Sequence, residues 1–124
     1  MLERRRRPID NRPIGEVVTA LGALLQSDDT VAYVVGLPSL ETVEASVAAE
    51  DPIIAKRLRV AEKLALAVYD ESRPWVSRSW LVACNPLLEE YSPVDLIGTI
   101  EASETDTPVL RSLHDAADSF AASA

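Results

Sequence analysis

The sequence predicts an all-α protein on three observations: an aliphatic composition poor in aromatics and glycine, apolar residues recurring at spacings of three and four, and capping residues followed directly by proline. Of 124 residues 48% are apolar, yet only six are aromatic and four are glycine. That balance suits close-packed helices better than a β-sandwich. The length accommodates one core, or two small helical halves that share one. The expected organisation is a flexible basic arm over residues 1–13, a helical domain over 14–73 and a second helical domain over 74–124.

The arm holds Arg4, Arg5, Arg6, Arg7 and Arg12 with two prolines and no apolar periodicity. Beyond it Val17, Val18, Leu21, Leu24 and Leu25 recur at helical spacing, and Ser27-Asp28-Asp29 ends that helix and caps the next. A second helix is expected from about Thr30 to Val35, although the β-branched run TVAYVV would also suit a buried strand. Gly36-Leu37-Pro38-Ser39 reads as a turn, with Ser39 capping a third helix from Leu40 to Ala49 whose apolar face includes Leu40, Val43 and Val47.

Asp51-Pro52 is an N-cap followed by proline at the first helical position, and the chain then runs without a breaker to about Glu71. Ile54, Leu58, Ala61, Ala65 and Val68 form its apolar seam, with Lys56, Arg59 and Lys63 on another face. Next comes a helix over about Pro74 to Val82. Asn85-Pro86, Ser92-Pro93 and Thr107-Pro108 each repeat the cap-proline device. The last helix places Val109, Leu113, Ala116 and Phe120 on one stripe and Asp115 and Asp118 off it.

Chemistry is sparsely provided for. Cys84 is the single cysteine and His114 the single histidine, so neither a disulfide nor an ordinary zinc site can be assembled. His114 precedes Asp118 by four residues on a helix and reads as a solvated surface histidine; Cys84 reads as an inert, partly buried filler. The glycines are isolated, which removes the common phosphate loops. We expect no enzyme activity, no cofactor and no metal. No apolar run approaches the roughly 18 residues that span a bilayer, and no apolar stretch follows the basic cluster of MLERRRRPIDNRP. A cytoplasmic protein without membrane contact is the expectation. Trp75 and Trp80 lie five apart and point to different faces. Either both close the core, or one enters it while the other reaches a partner.

The segment RSWLVACNPLLEEYSPVDLI resembles the toxin-binding region of the Xre/MbcA/ParS antitoxin family in its order of parts: a Trp-Leu helix, an Asn-led loop with a Leu-Leu helix, then Ser-Pro-x-Asp-Leu. Trp80, Leu81, Asn85, Leu87, Leu88, Pro93, Asp95 and Leu96 are the matching positions, and a weaker likeness extends upstream over residues 14–74. The family's frequent Gly-Gly before the Ser/Thr-Pro element is Glu89-Glu90 here, which predicts a differently built loop. The resemblance implies an N-terminal helix-turn-helix-like bundle joined to a C-terminal toxin-binding half that neutralises an NAD-consuming RES-domain toxin. Residues 31–47 fit the helix-turn-helix with Ala32 and Gly36 at the usual separation, although Thr42-Val43 fall one residue late.

The expected partners are therefore a cognate RES-domain toxin, a second copy of the chain in a homodimer or higher oligomer, and promoter DNA. Trp80, Asn85, Leu87 and Leu88 are expected to contact the toxin by the resemblance, joined by Leu113, Asp115, Asp118 and Phe120 of the last helix. Electrostatics limits the DNA contact. The net charge is −8, and residues 14–55 contain no Lys or Arg, while the candidate recognition helix carries Glu41 and Glu44. Phosphate contact needs cations, so Arg4, Arg5, Arg6, Arg7 and Arg12 of the arm, with the Lys56 to Lys63 face, are the expected DNA contacts. The alternatives are a helix-turn-helix regulator without a toxin, and a small phage or host adaptor.

Overall fold

Capping chemistry decides where this chain turns into helix. The computed structural model describes residues 12–101 and 107–123. α1 (Ile14–Leu25) follows Pro13, whose carbonyl accepts the amide of Glu16 at 3.0 Å. α2 (Asp28–Val35) is capped by Ser27, whose hydroxyl accepts the amide of Thr30. Ser39 and Thr42 close a reciprocal capping box at the start of α3 (Leu40–Ala48). Asp51 accepts the amides of Ile53 and Ile54 to open α4 (Pro52–Ala67). α5 (Val76–Val82) has no side-chain cap. A 3-10 turn (Pro86–Leu88) follows, then α6 (Pro93–Ile97) behind a Ser92–Asp95 capping box, and α7 (Pro108–Ser123), where Thr107 accepts the amide of Leu110. Among the described residues there is no strand, so the TVAYVV run is helical.

Two boundaries differ from expectation. α4 stops at Ala67 instead of running to Glu71, because Asp70 builds a competing turn: its carboxylate accepts the Ser72 hydroxyl at 2.7 Å, the Ser72 amide at 3.0 Å and Arg73 Nε at 3.0 Å. The Ser72 hydroxyl, and then Arg73, hold the Asp70 carboxyl below the ordinary carboxylate value. α5 accordingly starts at Val76, two residues after Pro74.

α4 lies against each of the other six α-helices. Its expected seam of Ile54, Leu58, Ala61, Ala65 and Val68 is buried, and so are Val60 and Leu64, because a helix enclosed by neighbours needs more than one apolar face. Arg57 reaches out of this helix to two chain ends, donating from Nε to the carbonyl of Ile100 at 3.1 Å and from Nη1 to that of Val35 at 3.5 Å. A single hydrophobic cluster runs from Val17 to Ala117, so the core is continuous across the expected boundary between residues 73 and 74.

The last helix closes that core. Leu113 and Ala116 of the expected stripe are buried, with Leu110 and Ala117 beside them, against α4, α6 and the 3-10 turn. Phe120 meets Trp80 with ring centroids 6.4 Å apart. The stripe expected to await a toxin is thus satisfied within the chain. Leu113→Ala is expected to destabilise the fold by about 3 kcal/mol, and deletion of residues 108–124 to abolish cooperative unfolding; both are read from urea denaturation followed by circular dichroism.

Candidate protein-binding surface

The loop between α5 and α6 is held by one asparagine. Asn85 Oδ1 accepts the amide of Leu87 at 2.9 Å, and the Asn85 carbonyl accepts those of Leu88 and Glu90, each at 2.9 Å. The Asn85 amide donates to the carbonyl of Tyr91 at 3.1 Å, joining the two ends of the loop. Proline at the first position of the 3-10 turn adds a preset φ. Within this frame Leu88 points into the core, whereas Leu87 is 62% and Tyr91 54% exposed.

Glu89 and Glu90 both sit in the left-handed region, with φ of 58° and 70°. A residue with a Cβ pays about 1–2 kcal/mol there, and glycine does not. Two glutamates thus hold a backbone that glycine adopts without this cost, kept in place by the hydrogen bonds of Asn85.

A groove of about 350 Å³ opens beside the loop, lined by Leu87, Leu88, Glu89, Tyr91 and Leu96 on one side and by Pro108, Val109 and Ser112 of α7 on the other. Asp115 stands three residues beyond Ser112, on the same helical face. The result is an apolar recess with carboxylates at its margin. Such a patch of exposed aliphatic and aromatic side chains, mounted on a rigid loop, suits contact with another protein.

Of the expected toxin contacts, Trp80, Leu88 and Leu113 are buried and support the surface from below. Their apolar side chains are consumed in closing α5, the 3-10 turn and α7 over one core. Phe120 is half-buried on Trp80, and Asn85, also half-buried, holds the loop. Leu87, Asp115 and Asp118 are exposed. Tyr91 and Leu96 escaped the sequence reading as contacts, whereas Val109 stood on the stripe expected to face a partner. Tyr91 had a signal, being an isolated aromatic between two glutamates and a Ser-Pro cap. Of the two tryptophans, Trp80 is inside and Trp75 is exposed.

The expected DNA contacts fare differently. Arg4, Arg5, Arg6 and Arg7 lie outside the described residues. Arg12 is turned inward: Nη1 donates to Glu62 Oε2 at 3.0 Å and Nη2 to Glu62 Oε1, and the Arg12 carbonyl accepts Arg59 Nη2 at 2.9 Å. Glu62 is 3% exposed. A buried carboxylate requires a partner, which is why Arg12 leaves the arm. Arg57 and Arg59 serve backbone carbonyls, whereas Lys56 and the exposed Lys63 of the face expected to meet phosphate make no side-chain hydrogen bond or ion pair among the described residues. On α3, Glu41 and Glu44 are exposed.

Cys84 is exposed, not partly buried, because the loop turns outward after Ala83. His114 is half-buried on α7. Among the described residues no three His, Cys, Asp or Glu side chains are grouped to hold a metal, and no helix is long and apolar enough to cross a membrane. Comparison of the chain with protein-family models, curated proteins and solved structures finds no match.

Two stability measurements check this geometry. Glu89→Gly and Glu90→Gly should each stabilise the protein by about 0.5–1 kcal/mol, the relief of backbone strain exceeding the added entropy of the unfolded chain. Arg12→Ala should cost about 1–3 kcal/mol by stranding the buried carboxylate, and Glu62→Leu added to it should recover most of that loss; a double-mutant cycle in urea reads both.

Proposed function

We propose that this chain is the antitoxin of a toxin-antitoxin pair, and that it neutralises a RES-domain, NAD-consuming toxin by binding it through the Leu87–Tyr91 loop and the outer face of α7. The observation that carries this reading is the apolar groove between the Leu87–Tyr91 loop and α7, with Leu87 and Tyr91 exposed at its edge. Leu87 and Tyr91 supply an apolar anchor of the kind that dominates protein interfaces.

Inhibition by binding needs no catalytic group. A toxin pocket that receives the phosphates of NAD is expected to be basic, and the exposed Asp115 and Asp118 on α7 are suited to meet it. The net charge of −8 would speed that encounter. A cytoplasmic setting follows from the substrate of such a toxin. The regulator reading is the weaker one, since α3 presents carboxylates and the arginines of α4 bond to the chain's own carbonyls.

Sequencing the adjacent gene, and co-expression with a RES-domain toxin found there, test the proposal. The wild-type chain should restore growth and cellular NAD. Leu87→Arg and Tyr91→Glu, both at exposed positions where surface changes cost within about 0.5 kcal/mol, should lose protection while keeping a helical circular dichroism spectrum. Full protection by the folded double variant would refute the assignment of this surface, and absence of protection by the wild type would refute the function.

A further inference from the structure

A single charge stands in the wall of the groove between the Leu87–Tyr91 loop and α7. Of the described side chains lining it, Glu89 alone is charged, set among Leu87, Leu88, Leu96 and Val109. Its main chain is fixed on both sides: the Glu89 amide donates to the Pro86 carbonyl at 3.3 Å and the Glu90 amide to the Asn85 carbonyl at 2.9 Å. The side chain therefore leaves from a rigid point, in a left-handed conformation that disfavours any residue with a Cβ. It makes no hydrogen bond or ion pair among the described residues. Ser112 of α7, also exposed, is on the opposite wall, and Tyr91 is on the same side as Glu89.

We propose that Glu89 selects the partner by receiving one of its arginine side chains in this groove. The inference rests on the protein-binding role given to the groove above, and adds the group that must fill it. A partner that covers the groove takes the Glu89 carboxylate out of water, and a buried charge without a counter-charge is strongly disfavoured. A partner lacking a cation at that point is rejected for this reason, which is how an unpaired charge generates specificity. Arginine suits the other walls as well. Its planar guanidinium has N–H donors enough for both carboxylate oxygens and the Ser112 hydroxyl, and its face stacks on an aromatic ring such as that of Tyr91. A lysine offers the charge but neither the fork nor the stacking plane. The neighbouring charges keep the same sign. Glu90 follows on the loop and Asp115 lies one turn past Ser112, both exposed, while Arg111 does not line the groove and is already engaged within its own chain. Asp95, next to Leu96, lines a different recess and accepts the Ser92 amide, so it adds no cation either.

Isothermal titration of the full chain with the RES-domain toxin of the adjacent gene tests this. Glu89→Gln should weaken binding on the order of 10–100-fold and flatten its dependence on salt. Glu90→Gln, at a residue with the same backbone strain and no place in the lining, should bind within about twofold of wild type. Glu89→Gly, expected to be more stable than wild type, should lose as much affinity as Glu89→Gln, so that the loss cannot be laid to misfolding. Alanine replacement of each toxin arginine in turn should find one whose effect disappears when Glu89 is changed to Gln. Full affinity in Glu89→Gln, with binding still destroyed by Leu87→Arg, overturns this inference and leaves the proposed function standing. So does an equal loss in Glu90→Gln, a coupled toxin residue that is a lysine, or the absence of any coupled residue. A wild type that does not bind the toxin removes the proposed function, and this inference with it.

Discussion

Everything in this structure depends on the enclosure of α4. Leu58, Ala61, Leu64 and Ala65 are fully removed from solvent, and the helix meets each of the six others among the described residues. Small alanines at two of these positions let neighbouring backbones approach closely, and the leucines fill the wider gaps. One consequence is that neither half of the chain owns a separate core. α1 to α3 and α5 to α7 are both laid on the same rod, so the loops and grooves of the second half are held in register by residues of the first.

The enclosure also explains what became of the charges. Glu62 stands on an enclosed side of α4, so it is buried and must draw in a cation, and Arg12 supplies it through Nη1 and Nη2. Arg57 ties down the C-terminal end of α2 and the chain just after α6, where carbonyls lack helical partners. These arginines stabilise the fold, Arg57 from a half-buried position and Arg12 from an exposed one.

The element order was legible because its signals are local. Ser27, Ser39, Asp51, Asn85, Ser92 and Thr107 each bond to an amide two or three residues on, so a reader of the sequence sees both partners in one glance. What escaped was long-range or competitive. The Arg12–Glu62 pair spans fifty residues of sequence. The amphipathic stripe of α7 was visible, but periodicity reports that a face must be covered and not by what. The early end of α4 turned on Asp70 preferring Ser72 and Arg73 to helix continuation, a contest that helical periodicity does not register. At the candidate site, Asn85 and Leu87 were legible by residue order, whereas the exposure of Tyr91 depended on how Asn85 folds the loop.

The glutamates at 89 and 90 bring these strands together. Positive φ at two successive residues with side chains is a cost that natural sequences usually avoid with glycine, and it persists here because Asn85 fixes both ends of the loop. Strain held in place by surrounding structure clusters where a surface must be preorganised for binding. Glycines there would relax the backbone but would remove the Glu89 carboxylate from the lining of an apolar groove. The chain keeps the strain and the charge together, an arrangement that suits the contact proposed above with a basic, partly apolar partner.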